Sequence, residues 1–283
     1  MTTGRCLCGT VRYEIDGPFM TAMHCHCSMC RKHHGTPFAT WAAAPLAGFR
    51  YTAGEDAVGR YESSPGFRRS FCTICGAVVP DALEAAGMVI CPAGNLEGDP
   101  GIEPSMHMFV GSKAPWHEIT DDLPQYDEYP PQFGMKATPR PPVETSGTDV
   151  QGSCLCGGVA YAISGPPLRM FYCHCSRCRL GRSAAHAANI FYKADGLRWV
   201  RGAELVQDYQ LPEAQYFGTA FCRRCGSAVP RVSVERNVAV VPAGSLDNDP
   251  GMRVQAHIFV GSKAGWDRIT DQVPQFAEMP PRR

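Results

Sequence analysis

The chain repeats itself with a period of about half its length, and this repetition is the feature that most limits its fold. The segment GRCLCGTVRYEIDGP near the start returns as GSCLCGGVAYAISGP at an offset of 148 positions. FCTICGAVVP returns as FCRRCGSAVP at an offset of 150, so the second copy holds two extra residues within 210–220. Copies of this size are domains rather than solenoid units. We predict tandem domains at 1–134 and 151–283, joined by a Pro/Ser/Thr-rich linker at 135–150.

Short β-branched or aromatic stretches predict the fold class. TVRYEI, HMFVGS and their counterparts are bounded by Gly, Pro and Asp, which is typical of short strands. Helical periodicity is scarce, and DALEAAGM at 81–88 is the best helix candidate. We therefore expect two mainly β domains of short antiparallel strands, organised partly around metal.

Charge and hydropathy exclude several functions. The chain of 283 residues has 27 Lys plus Arg and 27 Asp plus Glu, so it offers no bulk attraction to nucleic acid or to an acidic membrane. Its start lacks the pattern of a secretory signal, and no apolar run is long enough to span a bilayer. We expect a cytoplasmic protein, where reducing conditions favour metal binding by thiols over disulfides.

Fifteen cysteines, most of them in three recurring clusters, are the main chemical signal. Each copy has a CxC pair, a CxCxxC triplet and a CxxC pair followed by Gly, spacings that are typical of zinc ligands. The fourteen candidate ligands are Cys6, Cys8, Cys25, Cys27, Cys30, Cys72 and Cys75 in the first copy and Cys154, Cys156, Cys173, Cys175, Cys178, Cys222 and Cys225 in the second. The fifteenth, Cys91, has Val241 as its counterpart, which indicates apolar packing.

Seven thiolates per copy are enough for one four-cysteine site and leave three over. A four-thiolate site is closed and structural, whereas three protein ligands leave one position for water or substrate. Spacing alone does not decide which clusters share an ion. The contiguous triplet suggests one ion, which leaves the CxC and CxxC pairs to close the other. A histidine as fourth ligand of the triplet stays an alternative, from His26 or His107 in the first copy and His174 or His257 in the second.

An open three-thiolate zinc predicts a particular chemistry. Three negative ligands make the metal a poor acid for water and suit it to a soft ligand such as a thiol, which would bind as an oriented thiolate nucleophile. The electrophile would be a small carbonyl carbon, and the reverse step would cleave a carbon–sulfur bond.

Several motifs together resemble a known family. GRCLCGTVRY, CHCSMCRKHHGTPFATW, RYESSPGFRRSFCTICG, PAGNLEGDP and HMFVGSKAPWHEITDDLPQY are similar to the glutathione-dependent formaldehyde-activating enzymes, a family that includes centromere protein V relatives. The resemblance covers both copies. It implies Mss4-like domains of the β-tent type, each with a structural zinc on the CxC and CxxC pairs and a second zinc on the triplet, four Zn²⁺ ions per chain. It also implies a carbon–sulfur lyase that condenses glutathione with formaldehyde to S-hydroxymethylglutathione, with catalytic sites at the triplets.

The two copies differ in their basic residues. The first has Arg31 and Lys32 after the triplet and Arg68 and Arg69 before the CxxC pair, and these cations are candidates to bind glutathione carboxylates. The second copy keeps Arg179 but lacks the double-arginine pattern. We therefore expect the first copy to be the better catalyst.

Two other classes of function compete with the enzyme. A non-catalytic, zinc-stabilised binding module of Mss4-like fold is the main alternative, but as a nucleic-acid or cytoskeletal adaptor it should have a basic patch or tail that this chain lacks. A redox protein using CxxC is disfavoured because each CxxC pair has a matching CxC pair. The expected partners are thus a small thiol and an aldehyde, without nucleic acid or membrane.

Overall fold

The structure is a computed structural model that describes residues 1–138, 140 and 142–281. These residues form twenty-two short strands and two α-helices, and none of the helices they form is long and apolar enough to cross a membrane. The elements of the first half are β1 (Thr2–Arg5), β2 (Arg12–Ile15), β3 (Thr21–Cys25), α1 (Ser28–His34), β4 (Ala39–Pro45), β5 (Phe49–Ala53), β6 (Val58–Ser64), β7 (Phe67–Cys72), β8 (Asp81–Leu83), β9 (Met88–Pro92), β10 (His107–Met108) and β11 (Gln125–Tyr126).

The second half repeats this order of elements. They are β12 (Val150–Ser153), β13 (Ala160–Ile163), β14 (Arg169–Cys173), α2 (Ser176–Arg182), β15 (Ala187–Tyr192), β16 (Leu197–Arg201), β17 (Val206–Gln210), β18 (Gly218–Cys222), β19 (Arg231–Ser233), β20 (Val238–Pro242), β21 (Ala256–Ile258) and β22 (Gln275–Phe276). The predicted mainly β class, with two similar sheet-rich halves, is confirmed.

Each half combines two sheets and a hairpin. In the first half β1-β2-β5 form a small antiparallel sheet, β11-β10-β3-β4-β9-β8 form a six-stranded sheet, and β6 pairs with β7. The second half has the same arrangement. The expectation of antiparallel strands is correct except at one edge, where β10 and β11 are parallel to β3.

The prediction of a helix at 81–88 is wrong. Asp81–Leu83 forms strand β8, which pairs with β9, and only Glu84–Ala86 makes a short 3-10 turn before Gly87 at φ 61°. Strand pairing overrides the weak helical propensity of this segment. The two real helices start inside the triplets, where the Sγ of Cys27 caps α1 by accepting a hydrogen bond from the amide of Cys30 at 3.3 Å.

The two halves interlock through their C-terminal segments. Trp116 of the first half lies in the hydrophobic core of the second half, next to Ala243. Its counterpart Trp266 belongs to a small cluster that also contains Ala93 of the first half. The core of the second half therefore includes a tryptophan of the first half, and Trp266 adds a smaller contact between the halves.

The glycine after each CxxC pair is required by the contact between the halves. Gly76 has φ 74° and Gly226 has φ 69°, in the left-handed region where a side chain is disfavoured. A Cβ on Gly76 would lie 2.4 Å from the ring of Phe221, and one on Gly226 would lie 2.4 Å from the ring of Phe71. These glycines therefore allow both the cysteine turn and the aromatic contact between the halves.

A buried ion pair joins the first helix to the second half. Lys32 and Asp247 have only 5% and 4% of their side chains exposed and form a salt bridge. The Nζ of Lys32 also donates to the backbone oxygen and the Oγ of Ser153, both at 2.8 Å. Every polar atom of this contact thus has a partner, as burial of charge requires.

We expect Lys32→Met to lower the free energy of unfolding by about 3–5 kcal/mol, because it leaves the carboxylate of Asp247 buried without its cation. The double variant Lys32→Met/Asp247→Leu should recover most of the loss, since no charge is then left uncompensated. Urea unfolding of the full chain measures both values. A single variant that costs less than about 1 kcal/mol would contradict the interpretation.

Candidate metal centres

Two groups of four cysteines bring distant parts of each half together. The CxC pair follows β1 in the first half and β12 in the second, and the CxxC pair begins at the last residue of β7 and of β18. Hairpin pairing and the CxxC turn bring the sulfur atoms within 4.8 Å of one another in each group. The groups are Cys6, Cys8, Cys72 and Cys75, and Cys154, Cys156, Cys222 and Cys225.

The sulfur separations fit a tetrahedral metal ion rather than disulfides. Sγ–Sγ distances are 3.4 Å for Cys6–Cys8 and 3.7 Å for Cys8–Cys72. A tetrahedral zinc with Zn–S bonds of about 2.3 Å places sulfurs about 3.8 Å apart, whereas a disulfide needs about 2.05 Å. The amide of Val11 also donates to the Sγ of Cys6 at 3.3 Å, which favours the thiolate form. The donor sets therefore fit metal.

The triplets form two separate three-cysteine groups. Cys25, Cys27 and Cys30 lie together in the first half, and Cys173, Cys175 and Cys178 lie together in the second. Each triplet runs from the end of a strand into the first turn of a helix, so the strand end, the helix cap and the first helical turn each supply one sulfur. The grouping matches the partition that contiguity suggested. Among the described residues no histidine joins either group.

The remaining cysteine belongs to the core. Cys91 is fully buried on β9 among apolar side chains, away from both groups of the first half. Burial raises the pKa of its thiol above the ordinary value, so it stays protonated. This is the environment predicted from its replacement by Val241 in the second half.

The histidines inside the triplets point into the contact between the halves. His26 Nε2 lies 2.8 Å from His107 Nδ1, and His107 Nε2 lies 3.0 Å from Asp121. The second half has the same chain of contacts through His174, His257 and Asp271. These imidazoles therefore bond to one another and to carboxylates instead of facing the neighbouring sulfurs.

A small polar cavity of about 60 Å³ lies between the two halves, and the sequence analysis did not find it. It is lined by His107 and His117 of the first half and by His174, His186, His257 and Asp267 of the second, among others. His186 Nδ1 is buried there without a hydrogen-bond partner among the described residues, and Asp267 Oδ2 lies 3.3 Å from Nδ1 of His174. Phe38 is the counterpart of His186, so no repeated motif marked this position in the sequence.

The four basic residues proposed to bind carboxylates lie in different environments. Arg69 Nη1 donates to Cys30 Sγ at 3.3 Å, directly at the first triplet. Arg68 points to the other face of β7, near Asp81. Lys32 is engaged with Asp247, and Arg31 is half-buried with an unpartnered Nε within the described part of the chain. Only Arg69 of the four bonds to a triplet sulfur.

The fold and the cysteine groups define a duplicated, mainly β protein with four sets of metal-ligand geometry. Comparison with known families agrees with this class. The sequence model described as glutathione-dependent formaldehyde-activating enzyme matches residues 1–112 and 149–262. The chain therefore belongs to this family, as a tandem duplication. Its four cysteine groups could bind metal ions, and the family is a zinc-binding one.

Other comparisons are less informative. A solved structure described as a Rhodobacter sphaeroides protein, a structural genomics target, has 27% sequence identity and a TM-score of 0.30. The match covers 34% of this chain and 88% of that chain. None of the curated proteins matches the chain.

We expect Cys75→Ser to lower the metal content by about one ion per chain and to destabilise the fold, because it opens a closed four-thiolate site. Cys91→Val is the matched control, since it places the second half's own residue at an equally buried position. Elemental analysis and thermal unfolding of both variants provide the measurement. Equal metal loss in the two variants would contradict the assignment.

Burial holds the pKa of His186 well below its ordinary value of about 6.5, so it stays neutral where the unfolded chain would take up a proton. Stability should therefore fall as the pH drops below about 6.5. His186→Phe, which copies the first half, should reduce the stability lost between pH 7.5 and 5.5 by about 1.4 kcal/mol. Urea unfolding of wild type and variant at both pH values measures this difference, and an unchanged loss would show that His186 does not contribute.

Proposed function

We propose that the chain is a zinc-dependent carbon–sulfur lyase of the S-(hydroxymethyl)glutathione synthase type. It would condense glutathione with formaldehyde, or catalyse the reverse reaction. The observation that carries the proposal is the contrast between closed groups of four cysteines and separate groups of three. A four-thiolate group has no position left for a substrate, whereas a three-thiolate group has one. We assign two Zn²⁺ ions to each half on this basis.

The reaction needs no oxidant or reductant. The thiol sulfur forms a bond to the aldehyde carbon, the carbonyl π bond opens, and the proton of the thiol ends on the new hydroxyl. A zinc ion on a triplet would favour the thiolate form of a substrate thiol and hold its sulfur for attack. The catalytic groups we propose are Cys25, Cys27 and Cys30 with Cys173, Cys175 and Cys178.

The surroundings of the first triplet suit an anionic sulfur centre. Burial by itself would lower the pKa of Arg69, but the neighbouring Cys30 and Cys27 sulfurs hold it above its ordinary value. Arg69 therefore carries a positive charge beside Cys30 and offsets the negative charge of the thiolates. All three cysteines are buried, so little bulk water reaches the sulfurs.

Cysteine variants test the proposal by exchange NMR of ¹³C-formaldehyde with glutathione. The purified chain should accelerate exchange above the uncatalysed background, and Cys27→Ser combined with Cys175→Ser should remove the acceleration. Cys91→Val should retain full activity because Cys91 lies outside both metal groups. Exchange by the wild type at the background rate would refute the lyase and favour a zinc-stabilised binding module.

A further inference from the structure

The two triplets differ in what lies beside their last cysteine. In the first half Arg69 bonds to Cys30, and its guanidinium lies 6.0 Å from the centre of the Trp41 ring. The counterpart of Arg69 is Thr219, and the counterpart of Trp41 is Asn189. Two large side chains of the first half are thus replaced by two small ones in the second.

This exchange leaves space beside the second triplet. A cavity of about 190 Å³ there is lined by Cys178, Asn189 and Thr219, among others. An apolar cavity of about 150 Å³ inside a protein can hold a benzene molecule. The space beside Cys178 is therefore large enough for a ring-sized group, far more than formaldehyde needs.

Aromatic side chains form the walls of this cavity. Phe191 on β15 lines it where the first half has Ala43. Tyr216 and Phe217 line it from the loop between β17 and β18, within the segment 210–220 that holds the two extra residues of the second copy. Tyr216 is 60% exposed, so it lies where the cavity meets solvent. The lining therefore suits an apolar ring.

Polar atoms in the cavity are available to a ligand. Arg182 at the end of α2 is half-buried and forms no salt bridge within the described ranges of the chain. Burial lowers its pKa to about 10, so it is still charged at neutral pH. The Oδ1 of Asn189 is buried without a hydrogen-bond partner among the residues described. By contrast, Arg231 is already bonded to Asp208 and Gln210.

The first triplet is also more covered. Tyr129 and Phe133 pack against its cysteines. The counterpart of Tyr129 is Met279, which is 51% exposed. The sulfurs differ accordingly, because Cys27 is buried whereas its counterpart Cys175 is partly exposed.

We propose that the cavity beside Cys178 binds the side group of an organic thiol with a benzene-sized apolar part and a carboxylate facing Arg182. The second half is then the site for this substrate class, and Arg69 with Trp41 closes the equivalent space in the first half. This inference rests on the proposed function for the thiol's attachment at the triplet. It departs from the expectation, based on basic residues alone, that the first copy is the better catalyst.

Fluorine NMR with two probe thiols tests the inference on the zinc-loaded full chain. The probes are 3-fluoro-4-(sulfanylmethyl)benzoic acid and (4-fluorophenyl)methanethiol, which lacks the carboxylate. Asn189→Trp, which copies the first half, should weaken binding of both probes roughly tenfold or more because the ring fills the cavity. Thr219→Arg should also weaken binding of both probes, because the longer side chain enters the cavity. The Thr219→Val variant should bind both probes as tightly as the wild type.

Further variants test which residues bind the carboxylate and the sulfur atom of the probes. Arg182→Met should weaken binding of the acid probe roughly tenfold and leave the other probe unchanged. Cys175→Ser should remove binding of both probes, and Cys27→Ser should retain it. Metal content and circular dichroism establish that each variant is folded. Equal binding to wild type and Asn189→Trp, or loss of binding in Cys27→Ser alone, would overturn the inference.

The test separates this inference from the proposed function. If the probes bind with the expected variant pattern but formaldehyde–glutathione exchange stays at background, the cavity assignment holds and the named reaction fails. If exchange is catalysed but neither probe binds, the named reaction holds and the cavity assignment fails.

Discussion

The grouping of thiolates is the constraint on which the rest of each half depends. A CxC pair near the start of a half has to meet a CxxC pair more than sixty residues later, with sulfurs 3.4–3.7 Å apart in the first half. Like charges at that distance repel unless a cation lies between them. The small core around these cysteines, with Val11, Val58 and Val79 as neighbours, therefore has the apolar contacts and the donor set that a bound metal ion would complete.

Contact between the halves adds a second constraint. Trp116 lies in the core of the second half, and Lys32 forms its ion pair with Asp247. The Gly76 turn that aims a metal-ligand pair also makes room for Phe221 of the other half. The candidate metal-ligand turns and the contact between the halves therefore share residues, and the two halves interlock.

The surroundings of the two triplets also differ between the halves. The four-cysteine groups use the same residues in both halves, because four thiolates around one ion tolerate little change. The space beside the triplets has no such restriction, and there Arg69 and Trp41 of the first half correspond to Thr219 and Asn189 of the second. A common metal framework can in this way hold one covered site and one site with a cavity.

Much of the molecule was readable from sequence because its signals are local or repeated. Cysteine spacing predicted which cysteines would group together, the 148-to-150 offset predicted the duplication, and β-branched stretches predicted the mainly β class. The helix predicted at 81–88 was wrong because pairing of β8 with β9, a contact at the sheet edge, outweighs a short local propensity. Helix α1 was missed since its cap is a cysteine sulfur, outside the usual capping residues.

Only the tertiary structure decided how these parts meet. The sequence proposed the same role for Arg69 and Lys32, but Arg69 lies at the triplet and Lys32 lies inside the contact between the halves. Adjacent positions on a strand or a helix face different directions, so sequence position alone does not separate them. The histidine cavity and the space beside Cys178 arise between elements far apart in the chain. The local spacing of the cysteines thus indicates which of them are candidate metal ligands. Access to each cysteine group depends on which distant side chains fill the space around it.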